Sequence, residues 1–144
     1  MKIIAAVPAC AQVLAQLDEK RPFSAHWSVQ AWQGELAQTA AHIWCAKDRG
    51  KLVGFIAVRG AAGQYELLNL AVAESQSRRG IGFSLVQRAL QELQQTGAER
   101  ITLEVSTSNL PAQSLYQKAG FSVWGIRKHF YADGSDALIM GKDL

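Results

Sequence analysis

Two arginines and two glycines near the middle of the chain form a short loop whose chemistry suits a phosphate group. The loop contains Arg78, Arg79, Gly80 and Gly82, with Ile81 between the glycines. The apolar spacing after the loop predicts that a helix begins here, and a helix start has unpaired N–H groups and the positive end of the helix dipole. Glycine allows a ligand to approach the backbone closely, and the arginines add positive charge. We therefore predict a polyphosphate ligand, such as a nucleotide-like cofactor.

The residues before and after the loop predict a strand and a helix that would hold it in place. Residues 67–72 form an almost unbroken apolar run, which is too short for a helix and predicts a strand buried on both faces. After the loop, apolar side chains recur at helical spacing with polar ones opposite, and Gly97 predicts the end of this helix. The loop therefore connects a central strand to a central helix.

The loop differs from two well-known phosphate-binding loops. No Gly-Lys-Ser or Gly-Lys-Thr follows, as a P-loop requires, and Leu85 stands where the dinucleotide-binding pattern has its third glycine. From the loop residues alone, an ordinary tight turn with two solvent-exposed arginines remains an alternative.

The composition predicts one globular domain, which we expect to cover residues 1–144. The chain is 49% hydrophobic and long enough to bury a core without metals or disulfides. Its net charge is +3, from 15 Lys and Arg against 12 Asp and Glu, and the basic residues are mostly scattered, so no direct contact with nucleic acid is expected. No apolar run approaches the roughly 20 residues that span a membrane, and no signal peptide is evident. We expect a cytoplasmic protein with no membrane partner.

The two cysteines do not indicate a metal site. Cys10 and Cys45 are far apart in sequence, and neither lies in a spaced cluster with histidine. Neither zinc binding nor a disulfide framework is therefore indicated. We expect no metal, and we expect both cysteines to be small buried apolar residues.

The rest of the chain predicts an α/β fold, with a mixed sheet and helices on both faces. Ser28 and Asn109 are predicted to cap the N-termini of two further helices. In the strand predicted over residues 100–106, apolar and polar side chains alternate, so Glu104 should point away from the apolar face. Further strands are predicted over residues 2–7, 42–46, 52–59, 121–130 and 137–140.

Several short motifs, taken together, resemble those of the GNAT acetyltransferases. They are Asn69-Leu-Ala-Val, Arg78-Arg-Gly-Ile-Gly, Leu103-Glu-Val, Ser108-Asn109, Leu115-Tyr116 and Ala119-Gly-Phe, in the family's order and spacing. Within the family they are most similar to the RimI-type ribosomal-protein-alanine N-acetyltransferases, whose motifs are matched at residues 103–109, 112–121, 126–131, 133–134 and 139–140. The sequence departs from the pattern at Ser77, where relatives have Gln or Arg, at Phe83, where they often have Arg, and in a shortened turn after Tyr131.

The resemblance implies the GNAT fold, with a central mixed and mostly antiparallel sheet, and acetyl-CoA as cosubstrate. The acetyl and pantetheine arm would bind the backbone of Leu70, Ala71 and Val72, with Asn109 and Tyr116 contacting the arm and the sulfur. The pyrophosphate would be bound by Arg78, Arg79, Gly80, Ile81, Gly82 and Phe83.

The resemblance also implies direct attack by an amine, with Glu104 as base and Tyr116 as acid. The substrate would be a protein N-terminus, most simply alanine on a small-subunit ribosomal protein, bound as an extended peptide beside Tyr131 and a strand containing Phe130. Glu104 and Tyr131 would contact it, and the enzyme would be a monomer. Without the resemblance, the residues themselves favour a surface carboxylate for Glu104 and a core tyrosine for Tyr116. The alternatives are a GNAT enzyme for lysine or a small amine, and a non-catalytic acyl-CoA-binding or RNA-binding module.

Overall fold

The computed structural model describes residues 1–20, 26–76 and 80–144. Within these ranges the chain forms seven strands and four α-helices. The strands are β1 (Lys2–Ala5), β2 (Ala41–Asp48), β3 (Lys51–Ala61), β4 (Gln64–Val72), β5 (Arg100–Ser106), β6 (Ser122–Arg127) and β7 (Ala137–Asp143). The helices are α1 (Ala11–Glu19), α2 (Val29–Leu36), α3 (Ile81–Gln95) and α4 (Leu110–Lys118). Ser77, Arg78 and Arg79 lie outside the described residues.

The described strands form one sheet in the order β1-β2-β3-β4-β5-β7-β6. Every neighbouring pair is antiparallel except β4 and β5, which are parallel. The connection between these two parallel strands is α3, as a parallel pair requires. The predicted mixed, mostly antiparallel sheet is therefore confirmed.

The core has two parts, one on each face of the sheet. On one face α3 buries a stripe that includes Leu85, Val86 and Leu93 against the strands, and Tyr116 and Phe121 belong to the same cluster. On the other face, α1 and α2 cover β2, β3 and β4, and their cluster consists of Ala11, Leu14, Ala15, Trp32, Ile43, Cys45, Phe55, Ala57 and Ala71. Helices on both faces are also as predicted. Cys45 is buried as expected, whereas Cys10 is only half-buried.

A β-bulge in β4 changes which side chains face each layer. Val58 pairs with Leu67 and Ala57 pairs with Asn69, so Leu68 is the extra residue. Leu67 consequently packs in the α3 layer, whereas Asn69 turns toward α1. The pairing of β4 with β5 ends immediately before the bulge, since it covers only Gln64–Glu66 and Arg100–Thr102. Beyond that point the two strands border a cleft.

The predicted helix ends are confirmed. Ser28 Oγ accepts a hydrogen bond from the Ala31 N–H at 3.1 Å, and Asn109 Oδ1 accepts one from the Ala112 N–H at 3.3 Å. Gly97 has a φ of 81°, a conformation that ends α3 and that glycine adopts without strain. These caps are local features, which explains why short stretches of sequence suffice to predict them.

Two strand predictions were wrong in detail. Leu70 and Val72 are half-buried rather than buried on both faces, because they border the cleft. The strand predicted over residues 121–130 ends at Arg127, so Phe130 lies outside it. His129 has a φ of 52° and its N–H donates to Asp136 Oδ1, a conformation that cannot continue a strand. Among the described residues, no helix is long and apolar enough to cross a membrane.

Candidate active site

A cleft of about 600 Å³ lies between β4 and β5 where their pairing has ended. Residues 67–72 form one wall and residues 104–106 form the other, with the start of α3 and one side of α4 completing the surface. β4 pairs with β3 along its opposite edge. On the cleft side, the backbone N–H and C=O groups of residues 67–72 have no partner strand, so they are available to an extended ligand.

Most residues predicted to contact the cofactor and the substrate line this cleft. They are Leu70, Ala71, Val72, Gly80, Ile81, Gly82, Phe83, Glu104, Asn109, Tyr116 and Tyr131. Arg78 and Arg79, the predicted cationic ligands of the pyrophosphate, lie outside the described residues. The folding of five separate segments therefore brings the described members of the predicted set to one cavity.

The first turn of α3 forms one end of the cleft. Gly80 is its N-cap, with a φ of 77°, and a glycine supplies no side chain to cap the helix. The first N–H groups of α3 therefore remain available to an anionic ligand. Gly82 also has a packing role, because a Cβ there would lie 3.0 Å from Leu115 Cδ1. A side chain at position 82 would therefore require the Leu115 methyl group to shift, whether or not a phosphate is bound.

The phenol of Tyr116 belongs to the cleft wall formed by α4. Tyr116 is 6% exposed, and its ring centroid lies 5.7 Å from that of Phe121. Burial raises the pKa of Tyr116, and the neighbouring Tyr131 raises it further. The phenol therefore keeps its proton throughout the neutral pH range.

Glu104 lies on the wall formed by β5, on the polar side of that strand as the alternation predicts. The flanking residues Leu103 and Val105 are both buried, whereas the Glu104 side chain is 25% exposed. Its Oε1 lies 3.4 Å from Nη2 of Arg127, at the end of β6. The cleft thus contains a partly hydrated carboxylate that already attracts a cation.

The loop between β6 and β7 brings Tyr131 to the same part of the cleft. Burial raises the pKa of Tyr131, and the negative charges of Glu104 and Asp133 raise it further, which requires both carboxylates to be close. Asp133 Oδ1 accepts hydrogen bonds from the N–H and the hydroxyl of Ser135, at 2.8 and 2.6 Å. Ser135 Oγ lies 2.9 Å from Ser106 Oγ in the cleft wall. These contacts fix the loop against β5.

Sequence reasoning missed several polar residues around the cleft. Asp18 of α1 is fully buried and accepts hydrogen bonds from the N–H groups of His26 and Trp27, at 3.1 and 2.7 Å, and from Asn69 Nδ2 at 3.1 Å. Asn69 lines the cleft, as does Lys118 at the end of α4. An aspartate on the apolar side of α1 indicates a buried polar contact, but its partner Asn69 lies 51 residues further along the chain. Local patterns cannot pair the two.

The cleft combines groups that suit carbonyl chemistry. A carboxylate can accept a proton, a phenol can donate one, and backbone N–H groups on a strand edge can stabilise a carbonyl oxygen that becomes negative. Within the three described ranges, no three His, Cys, Asp or Glu side chains come close enough to hold a metal ion.

Comparison with known families decides the class of this protein. Residues 10–121 match the sequence profile of the acetyltransferase (GNAT) family. The chain is a member of the GNAT family. It is therefore an acetyl-CoA-dependent N-acetyltransferase, and the predicted class of enzyme is confirmed.

Curated relatives of this GNAT protein include enzymes that are named for N-terminal acetylation. An N-alpha-acetyltransferase of Sulfurisphaera tokodaii is 34% identical over 122 residues, which cover 76% of this chain and 73% of that protein. A ribosomal protein bS18-alanine N-acetyltransferase of Escherichia coli K12 is 30% identical over 125 residues, covering 85% of this chain and 84% of the other. The predicted resemblance to the RimI type is therefore confirmed, because such an enzyme is among the relatives of this chain.

The fold of this GNAT protein is also that of a solved relative. The crystal structure of the ribosomal-protein-S18-alanine N-acetyltransferase from Escherichia coli superposes with a TM-score of 0.89 at 24% identity. The superposition covers 99% of this chain and 92% of that chain. This similarity concerns the fold, which agrees with the mixed sheet described above.

Proposed function

We propose that this enzyme transfers the acetyl group of acetyl-CoA to the α-amine of a protein's N-terminal residue. The proposed acceptor is alanine on a ribosomal protein of the small subunit, which would place the reaction in the cytoplasm. The names of two relatives support a protein N-terminus, and one of them specifies alanine. The observation that carries the proposal is that Glu104, Tyr116 and Tyr131 all line one cleft beside an unpaired strand edge.

The proposed reaction is a direct attack. The acetyl and pantetheine arm binds along Leu70 to Val72 as an added strand would, and the neutral amine attacks the thioester carbonyl. Glu104 takes the ammonium proton directly or through a water molecule, and a backbone N–H near Val72 stabilises the oxyanion. Tyr116 donates a hydrogen bond and then a proton to the departing thiolate. The raised pKa of Tyr116 keeps the phenol protonated when the thiolate forms, so it can donate the hydrogen bond; the same rise makes the phenol a weaker acid, so the proton transfers late.

The ion pair of Glu104 supports its proposed contact with the amine. The guanidinium of Arg127 lies 3.4 Å from the carboxylate, although 56% of the arginine side chain is exposed to water. Because exposed ion pairs contribute only about 0–1 kcal/mol, a substrate ammonium can replace Arg127 at little cost. Tyr131 lies beside the same carboxylate and would contact the first residue of the peptide. The segment that follows β6 is irregular, so the peptide would lie beside this loop and not beside a strand at Phe130.

The reference pKa values of the two possible amines favour an α-amine over lysine. An α-amino group has a pKa of about 7.7–8.0 and a lysine about 10.4, so removing a proton from lysine at neutral pH costs roughly 3–4 kcal/mol more. A single carboxylate base is better matched to the amine that deprotonates more easily.

Replacing Glu104 with glutamine tests the proposed base. Glu104→Gln keeps the shape and removes the base, so the rate with an N-terminal alanine peptide should fall by about 10²–10⁴. The rate should recover partly as the pH rises, because free amine accumulates. Glu66→Gln is the matched control, since Glu66 is an exposed carboxylate on β4 that does not line the cleft. Normal activity in the Glu104 variant would exclude the carboxylate as base.

A pair of peptides tests the acceptor. One has a free N-terminal alanine and no lysine, and the other has a blocked N-terminus and one internal lysine. We expect mass spectrometry to find acetylation of the first only. Equal rates would overturn the α-amine proposal and would favour the alternative of a lysine or small-amine acetyltransferase.

A further inference from the structure

The side of the sheet to which Glu104 points has no helix layer beyond β4. The cluster beneath α1 and α2 contains side chains from β2, β3 and β4, but none from β5, β6 or β7. Helices α3 and α4 lie on the other side, where Leu103 and Val105 are buried. Within the described ranges, the strands β5, β7 and β6 therefore present one bare surface, which we call the open sheet face.

Strand register places Ile139 and Gly125 in a row with Glu104 on this face. Glu104 pairs with Ile139 on β7, which in turn pairs with Gly125 on β6, and paired residues point to the same side of a sheet. Because Gly125 has no side chain, it leaves the half-buried side chain of Ile139 accessible. A register shift between Val123 and Gly125 makes Trp124 the extra residue of a β-bulge.

The ring of Trp124 lies on the open sheet face as well. A Cβ at Gly141 would overlap this ring, and Gly141 pairs with Thr102, which points to the same side as Glu104. The guanidinium of Arg100, on the same side of β5, lies 5.2 Å from the ring centroid. Trp124 nonetheless remains 44% exposed. An aromatic surface is thus fixed to the open sheet face by contacts with β7 and β5.

The open sheet face continues the amine end of the cleft, because Glu104 belongs to both. An acceptor chain whose α-amine reaches Glu104 can continue in extended form across β7 to β6. Neighbouring strands lie about 4.8 Å apart, so this path is about 10 Å long, and an extended chain advances about 3.3 Å per residue. The third and fourth residues of the acceptor would consequently lie over Ile139 and Trp124. A second copy of the protein on this face would instead block access to Glu104.

We propose that Ile139 and Trp124 bind apolar side chains at the third and fourth positions of the acceptor protein. This inference rests on the proposed acetylation of a protein N-terminus, and it adds a selectivity beyond the first residue. An aliphatic side chain that packs on the indole and the isoleucine removes apolar surface from water on both partners, which favours binding. Serine at the same positions has little apolar surface to bury and gains much less.

Steady-state kinetics with two hexapeptides tests this selectivity. Both begin with alanine and lack lysine; one has leucine at positions three and four, and the other has serine there. We expect the wild-type KM to be on the order of tenfold lower for the leucine peptide, at similar kcat, because the added contact strengthens binding only. Equal KM values would overturn the inference and leave the proposed function intact. Acetylation of neither peptide would mean that the proposed function fails, and the inference with it.

Three variants locate the selectivity on the open sheet face. Trp124→Ala removes the ring, and Ile139→Thr replaces an apolar side chain with a polar one that is also branched at Cβ. Each should raise the KM for the leucine peptide severalfold and leave kcat and the KM values for the serine peptide and acetyl-CoA unchanged. Val123→Ala is the control, because Val123 is 47% exposed on the same strand but pairs with Met140 and so points to the opposite side. It should keep the wild-type selectivity.

Two results with the Trp124 variant would contradict the proposal. Retained selectivity in Trp124→Ala would overturn it, and so would an equal rise of KM with both peptides, which would indicate a structural role alone. Analytical ultracentrifugation tests the other occupant of the face. If the wild-type protein is a dimer that Trp124→Ala dissociates with selectivity unchanged, the open sheet face is a contact between copies and the proposal is wrong.

Discussion

At the scale of single residues, the two tyrosines of the cleft differ in the groups that surround them. Burial is the main cause of the raised pKa of both tyrosines. The second cause differs: Tyr131 raises the pKa of Tyr116, whereas the negative charge of Glu104 raises the pKa of Tyr131. A thiol such as that of coenzyme A has a reference pKa of about 8.5, below the value of about 10 for a tyrosine phenol. In the proposed reaction, Tyr116 therefore donates a hydrogen bond as charge develops on sulfur and transfers its proton late. Tyr131, beside the carboxylate, belongs on the amine side.

Replacement of Tyr116 by phenylalanine tests this division of roles. Tyr116→Phe removes one hydroxyl from a buried ring, and we expect kcat to fall at least tenfold while the Kd of coenzyme A and the thermal stability change little. Steady-state kinetics, calorimetry and thermal unfolding measure the three quantities. Tyr65→Phe, on β4 and outside the cleft lining, is the control that should keep full activity. Full activity in the Tyr116 variant would reduce the residue to a packing role.

At the scale of helices and strands, the features set by neighbouring residues could be predicted from the sequence, whereas the features set by long-range strand pairing could not. Ser28, Asn109 and Gly97 act within one turn of their own helix, and the side to which Glu104 points follows from strand alternation. The extra residue at Leu68 could not be predicted, because a bulge is defined by the register of the partner strand. The end of the β4–β5 pairing, and therefore the cleft, depends on the same long-range register.

Asp18 connects three elements, and its replacement should show how much that connection contributes. Asp18→Asn replaces a carboxylate oxygen with an NH₂ group that faces the N–H donors of His26 and Trp27. Leaving a buried donor unpaired costs about 1–3 kcal/mol, so the free energy of unfolding measured with urea should fall by that amount.

The matched change for Asp18→Asn is Asp143→Asn, which makes the same substitution in a side chain that is 72% exposed. Its ion pair with Arg100 should contribute well under 1 kcal/mol. Equal stability of the two variants would mean that the hydrogen bonds of Asp18 are not needed to hold α1 against β4.

At the scale of the whole molecule, the sheet consists of two parts that are joined by little direct pairing. β4 and β5 share three registered residue pairs, whereas β3 and β4 share eight. A cosubstrate lying in the cleft would contact both walls and would connect them as an additional strand does. Binding should therefore stabilise the protein and also change where its backbone exchanges hydrogen.

Coenzyme A should therefore stabilise the fold and protect one strand edge in particular. At a concentration of 100 times its Kd, it should raise the free energy of unfolding by about 2.7 kcal/mol. Hydrogen exchange measured by mass spectrometry should slow in peptides that contain Leu70, Ala71 and Val72, since their cleft-side N–H groups gain a partner, and should not change in β6. Adenosine 3′,5′-bisphosphate, which resembles the nucleotide end alone, should leave the exchange of residues 70–72 unchanged. Slower exchange in β6, with none at residues 70–72, would place the pantetheine arm outside the cleft between β4 and β5.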